Sequence, residues 1–157
     1  MGINPTHFQW HLPVGEAFQT PEVVLVYSEN GLNGLSQTLH PFYQKHLIRG
    51  QHQFAERPIL INNWEGTYFD FTAEKIEAMA DEASTLGIEL FVLDDGWFGK
   101  RDDDYSSLGD WHVHTAKLPS GLKQLAENIK AKGMLFGLWF EPEMISEDSE
   151  LFRAHPD

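Results

Sequence analysis

The chain has 157 residues, 41% of them hydrophobic and 13% aromatic, enough for one ordinary domain with a buried core. Its 11 Lys and Arg face 24 Asp and Glu, and a formal charge of -13 opposes phosphate backbones and anionic lipid, so neither nucleic acid nor a membrane is an expected partner. Cysteine is absent, which excludes disulfides, thiolate metal sites and a cysteine nucleophile.

The first residues, Met1-Gly2-Ile3-Asn4-Pro5-Thr6-His7, show no basic region followed by an apolar core, and no run approaches the roughly 18 apolar residues of a membrane span. A cytoplasmic location is the expectation. Residues 22–27 read as a β-strand, and Leu32, Leu35, Leu39 and Phe42 recur at helical spacing ahead of a linker over residues 49–58. Residues 1–58 therefore read as the end of something preceding, with its linker.

From Ile59 onward the pattern changes to a strand, helix, strand, helix, strand rhythm. Residues 59–64 form a short apolar run after Pro58. Ile76, Met79, Ala80, Ala83 and Leu86 then mark a helix, with Thr72 as its N-cap and Gly87 as its stop. The apolar run at residues 88–93 predicts a second strand. A second helix starts at Ser120, with Leu122, Leu125, Ala126 and Ile129 on one face and Gly133 at its end, and residues 134–139 predict a third strand. Residues 149–155 look helical again. Helices ending in Gly and followed at once by apolar runs are what parallel strands with right-handed crossovers require. The fold class expected is α/β, the first three βα units of a (β/α)8 barrel. Such a barrel takes about 250 residues and eight strands, so residues 59–157 are expected to be the opening part of a longer one. A doubly wound nucleotide-binding sheet shares the rhythm, but no G-x-G-x-x-G or G-x-x-x-x-G-K follows any of these strands.

The helix-to-strand turns are short, whereas the strand-to-helix segments at residues 65–72 and 94–119 are long and polar, and function gathers on that side of a barrel. Three polar or aromatic clusters end the strands there: Asn62-Asn63-Trp64-Glu65, Asp94-Asp95-Gly96-Trp97, and Trp139-Phe140-Glu141-Pro142-Glu143. Two adjacent acids at a strand end are costly to fold around, and they point to a ligand with hydroxyls or positive charge. Carboxylates interleaved with tryptophan are what a pyranose needs, since its hydroxyls donate to the acids and its C–H face lies on an indole. For Trp64 and Trp139 simple packing is an equal contender. A retaining glycosidase needs its two carboxyls about 5 to 5.5 Å apart across the scissile bond. Adjacent residues in extended backbone point opposite ways, so the pair suits binding better than catalysis.

Other clusters carry weaker signals. Arg101-Asp102-Asp103-Asp104-Tyr105 lacks the glycine and distal glutamate of a calcium loop and reads as a solvated loop. His112 and His114 share a face if extended, but no third metal ligand has suitable spacing, so no metal and no cofactor is expected. Trp111 could wall the site or merely pack its loop.

At these residues the chain resembles the bacterial α-galactosidases of glycoside hydrolase family 36 over nearly its whole length. The likeness rests on Asn62-Asn63-Trp64-Glu65 with Tyr68-Phe69-Asp70-Phe71, and on Leu93-Asp94-Asp95-Gly96-Trp97-Phe98-Gly99 with Leu108-Gly109-Asp110-Trp111. It extends to Gly137-Leu138-Trp139-Phe140-Glu141-Pro142-Glu143-Met144 and Arg153-Ala154-His155-Pro156-Asp157. The resemblance implies a β-sandwich ahead of the catalytic barrel and retaining hydrolysis of terminal α-galactosides such as melibiose and raffinose. It also implies frequent oligomers in the family. Carried over by motif, Asp94 and Asp95 match acids that hold galactose hydroxyls, and Trp64 and Trp139 match aromatic residues of the same pocket. The family's nucleophile lies in a K-W-D-x-N-R motif that these 157 residues do not contain, and its acid/base aspartate comes later still. The resemblance therefore places substrate-binding residues in this chain and no catalytic ones. A sugar-binding or interaction module without chemistry is the competing reading, and a hydrolase using a metal at Asp102 to Asp104 with the histidines is a third.

Overall fold

The structure is a computed structural model describing residues 3–156. Met1, Gly2 and Asp157, the last residue of the Arg153-to-Asp157 motif, lie outside the described residues. The chain divides into two units, one reaching Glu56 and the other starting at Arg57.

Among its described residues the first unit contains one helix, α1 (Gly31–His46). Leu35, Leu39 and Phe42 are its half-buried apolar positions, one face at i, i+4 and i+7, while Leu32 is exposed. The helix continues past Phe42 to Lys45 and His46, basic residues that suit the negative end of a helix dipole. The strand expected at residues 22–27 does not form. Among the described residues of this unit there is no strand and no fully buried residue, and Val23, Val24, Leu25 and Tyr27 are exposed. A β-prone sequence becomes a strand only where a neighbour supplies the hydrogen-bonding ladder, and none of the described residues of this unit does. No strand of a β-sandwich is therefore formed among the described residues of this unit.

The second unit is a parallel α/β arrangement. Its elements in chain order are β1 (Leu60–Asn62), α2 (Trp64–Thr67), α3 (Ala73–Thr85), β2 (Leu90–Leu93), α4 (Gly121–Ala131), β3 (Leu135–Leu138) and α5 (Glu150–Ala154). The sheet runs β1-β2-β3, all parallel, with Ile61, Phe91 and Phe136 in one register layer. As expected, Thr72 caps α3, its hydroxyl accepting from the Lys75 N–H at 3.4 Å. Ile76, Ala80 and Ala83 of α3 and Leu125 and Ile129 of α4 are buried on the faces their periodicity marks, whereas Leu86, also expected on the first of these, is the C-cap of α3 and exposed. The strands are shorter than the apolar runs that announced them. In particular, the chain leaves β1 at Asn62 and turns at once into α2, a four-residue helix too short to leave a periodic signal.

The two faces of the sheet differ. Phe91 and Leu93 are fully buried in the core, with Ile61, Phe136 and Leu138 packed against it. On the alternate positions, Leu60 and Leu135 are exposed and Leu90, Val92 and Gly137 half-buried. Asn62 lies on that second, more open side of β1, and alternation carries Asp94 to the corresponding side after β2.

Candidate functional site

Three strand ends are stitched together by side chains and backbone. The Asn62 amide donates to Asp94 Oδ2 at 2.8 Å, linking β1 to the segment after β2. Asn63 is fully buried, and its Oδ1 accepts from the Asp94 N–H at 2.8 Å while its Nδ2 donates to the Thr67 hydroxyl at 2.9 Å. From the other side, the Trp139 N–H donates to Leu93 O at 2.9 Å, and Trp97 Nε1 donates to Trp139 O at 3.0 Å. The turn after β2 is therefore held by both neighbouring strands. At Gly96 the turn takes φ +97°, and a Cβ there would sit 3.1 Å from the Phe69 ring, so glycine is needed for both conformation and space.

The two adjacent acids have different partners, Asp95 lying already in the turn after β2. Asp94 (9% exposed) accepts from neutral donors, the Asn62 amide and the Asp95 N–H. Asp95 (5% exposed) is clasped by Arg101: Nε lies 3.0 and 3.1 Å from its two oxygens and Nη2 2.8 Å from Oδ2. Arg101 is itself only 3% exposed, and its Nη1 donates to Ser106 O at 2.8 Å. The guanidinium compensates Asp95, whereas the charge of Asp94 is met only by dipoles of neutral groups. Asp94 is thus the better placed of the two to take a further donor from a ligand.

Lys117 ties this arrangement to the following loop. Its ammonium donates to Gly96 O at 3.2 Å and to Arg101 O at 2.9 Å, lies over the Phe71 ring at 4.9 Å, and pairs with Asp102 Oδ1 at 2.8 Å. That hydrogen bond to Lys117, helped by the nearby His114, holds the Asp102 carboxyl below the usual carboxylate range, against a burial effect that pushes it up. The sign follows: a carboxyl depressed in the folded state adds stability above its ordinary value of 3.8 and loses it as acid protonates the folded form. Asp102→Asn is expected to narrow, by a small amount because the side chain is largely exposed, the fall in melting temperature between about pH 6 and about pH 3. An unchanged fall, measured by circular dichroism, would show that Asp102 contributes nothing to acid sensitivity.

The expected aromatic residues take different roles. The Trp64 ring, on α2, stands edge-on to Tyr68 and Phe69 at 5.2 and 5.1 Å. Trp139 stacks on Phe98 at 6.4 Å with a 14° interplanar angle, and Trp111 contacts Phe98 at 4.4 Å and Trp97 at 6.2 Å. Trp139 and Trp111 thus belong to one aromatic cluster with Trp97 and Phe98 of the long loop. Asp102 to Tyr105 are exposed, as a solvated loop should be, whereas Arg101 at its head is buried. His114 Nε2 lies 3.4 Å from Asp102 Oδ1, His112 is exposed, and no cluster of potential metal ligands occurs among the described residues. Asp110 is engaged structurally, its two oxygens accepting from the Glu150 and Leu151 N–H groups at the start of α5, each at 3.0 Å.

The family model described as Melibiase matches residues 17–157, nearly the whole chain. The chain belongs to the melibiase family. It is 63% identical over 157 residues to the α-galactosidase AgaA of Geobacillus stearothermophilus, covering 100% of this chain and 22% of that enzyme. It is 53% identical over 156 residues to the α-galactosidase Mel36A of Lactobacillus acidophilus, covering 99% and 21%. The crystal structure of AgaA superposes with a TM-score of 0.91, covering 99% of this chain and 22% of that one. A variant of the same enzyme, 62% identical and with a TM-score of 0.90 over the same shares, was solved in complex with stachyose. The chain thus spans about a fifth of the length of the relatives it matches.

Proposed function

We propose that this chain provides the galactose-holding part of an α-galactosidase barrel, with Asp94 and Asp95 accepting from sugar hydroxyls and Trp64 and Trp139 shaping the pocket. The observation that carries this reading is the convergence at one end of the parallel sheet. Asn62 and Asn63 fix Asp94, the Trp97 and Trp139 hydrogen bonds fix the turn, and Arg101 holds Asp95, so two buried carboxylates stand where barrel enzymes keep their sites. Family membership supports the substrate class, as does the stachyose bound by the AgaA variant. The three parallel strands are the opening of a (β/α)8 barrel on this reading, and residues 1–58 the join to a preceding β domain. Covalent and acid/base steps require a nucleophile and a proton donor. With the K-W-D-x-N-R motif absent from these 157 residues, both come from outside them.

The test is an NMR titration of the chain with methyl α-D-galactopyranoside, beside an assay with a chromogenic α-galactoside. The expected result is galactoside binding weakened roughly tenfold or more in Asp94→Ala, the loss of hydrogen bonds to a charged acceptor, with no hydrolysis. Absence of binding sinks the reading. Hydrolysis abolished in Asp94→Ala would instead put a nucleophile among the residues present, and Asp70, Glu141 and Glu143 would be the first to test.

A further inference from the structure

We infer that Arg101 is a positioning residue for the galactoside site: it does not touch the sugar but sets the direction in which the Asp95 carboxylate presents its remaining acceptor site. The inference rests on the galactose-holding reading above. Its ground is a specific geometry. A carboxylate held by one guanidinium through three contacts of 2.8 to 3.1 Å cannot swing about its terminal bond without breaking them. Oδ1 takes one of the three contacts and Oδ2 the other two, so of the roughly four lone-pair sites the free acceptor direction is left on Oδ1. The direction left free is dictated by the guanidinium plane. Arg101 is in turn fixed rather than floating. Nη1 donates to Ser106 O, the Arg101 carbonyl accepts from Lys117 Nζ, and Lys117 also holds the Gly96 carbonyl in the turn that carries Asp95. The acid and the residue that aims it are thereby tied to the same ammonium group.

The role differs from general support of the fold, because it should act on sugar affinity only through Asp95. Lysine carries the same charge but not the planar fork, so Arg101→Lys should restore compensation without restoring aim.

The decisive experiment is a double-mutant cycle on the affinity of the full chain for methyl α-D-galactopyranoside, read by NMR titration. Arg101→Met is expected to weaken binding roughly tenfold, and Arg101→Lys by a smaller factor with a wild-type-like amide spectrum. In an Asp95→Asn background, Arg101→Met should cost no more than about twofold further, since the carboxylate it aims is already gone. Losses that simply add would overturn the inference in favour of a purely structural arginine. Wild-type affinity in the Lys variant would overturn it too, and this variant decides the matter if the Met variant does not fold. A wild-type chain that binds no galactoside at all overturns the galactose-holding reading and, with it, the positioning role; binding that persists undiminished without Arg101 overturns the positioning role alone.

Discussion

Arg101→Met is expected to lower the unfolding free energy of the sheet-bearing unit by about 3–5 kcal/mol, because it strands the Asp95 carboxylate in a site that excludes water. Both partners are almost fully buried, with side-chain exposures of 4% and 7%, so solvent cannot take over the role of the guanidinium. An exposed pair such as Lys123 with Glu127 would be worth about 1 kcal/mol or less. The double variant Asp95→Asn with Arg101→Met should recover most of the loss, since removing both charges of a buried pair is often close to neutral. Recovery should be incomplete. Arg101 also donates to Ser106 O, and the loss of that hydrogen bond retains a cost of about 0.5–1.5 kcal/mol, since the carbonyl still accepts from the Leu108 N–H. Urea unfolding of the two variants beside wild type measures this directly. A single-variant cost below about 1 kcal/mol would mean that water reaches Asp95 and the pair behaves as a surface one.

That pair was only half legible in the sequence. Asp94-Asp95 stands out because two acids follow an apolar run, a pattern packing does not explain. Arg101 sits six residues further on, among Asp102, Asp103 and Asp104, and looks like part of a solvated loop. Irregular loops carry no periodicity from which an inward side chain can be read. One signal was nevertheless available. Buried carboxylates demand a cation, and the lysine and arginine residues of the segment 94–119 are Lys100, Arg101 and Lys117. The fork of arginine, matched to a carboxylate, favours the second of these.

The strand and helix units were legible for the opposite reason, since their apolar spacing is the fold's own requirement. Ile76, Ala80 and Ala83 bury one stripe of α3, and Leu125 and Ile129 one stripe of α4. The same reasoning failed at residues 22–27, where a β-like run has no ladder to join, because pairing is a property of two segments and periodicity reports on one. It was also silent on Asn63. An asparagine at a strand end is ordinary in sequence, and only the structure shows its side chain closing the hydrogen bond to the Asp94 N–H.

Phe91→Ala is expected to cost about 3–5 kcal/mol, while Leu135→Ala, one register layer away in the same sheet, should cost no more than about 1 kcal/mol. Phe91 is fully buried on the central strand, between Ile61 on β1 and Phe136 on β3. Its ring has neighbours on both flanks that cannot collapse into the space it leaves, so the transfer loss and the cavity cost add. Leu135 is 57% exposed on an edge strand, and little of its apolar surface returns to water when it is cut back. Phe91→Leu, which keeps most of the volume, should cost less than about 1.5 kcal/mol. The contrast matters for the site, because β2 carries the acids: Asp94 and Asp95 follow directly from Leu93, and the burial of Phe91 and Leu93 acts with the Asn63 and Trp139 hydrogen bonds to fix where that strand ends. Since small domains retain only about 5–15 kcal/mol in all, Phe91→Ala should also weaken galactoside binding in proportion to the unfolded fraction, without touching the sugar. Equal urea midpoints for the Phe91 and Leu135 variants would show that the sheet is not held from its helix-covered face, and that the strand ends take their positions from the loop contacts alone.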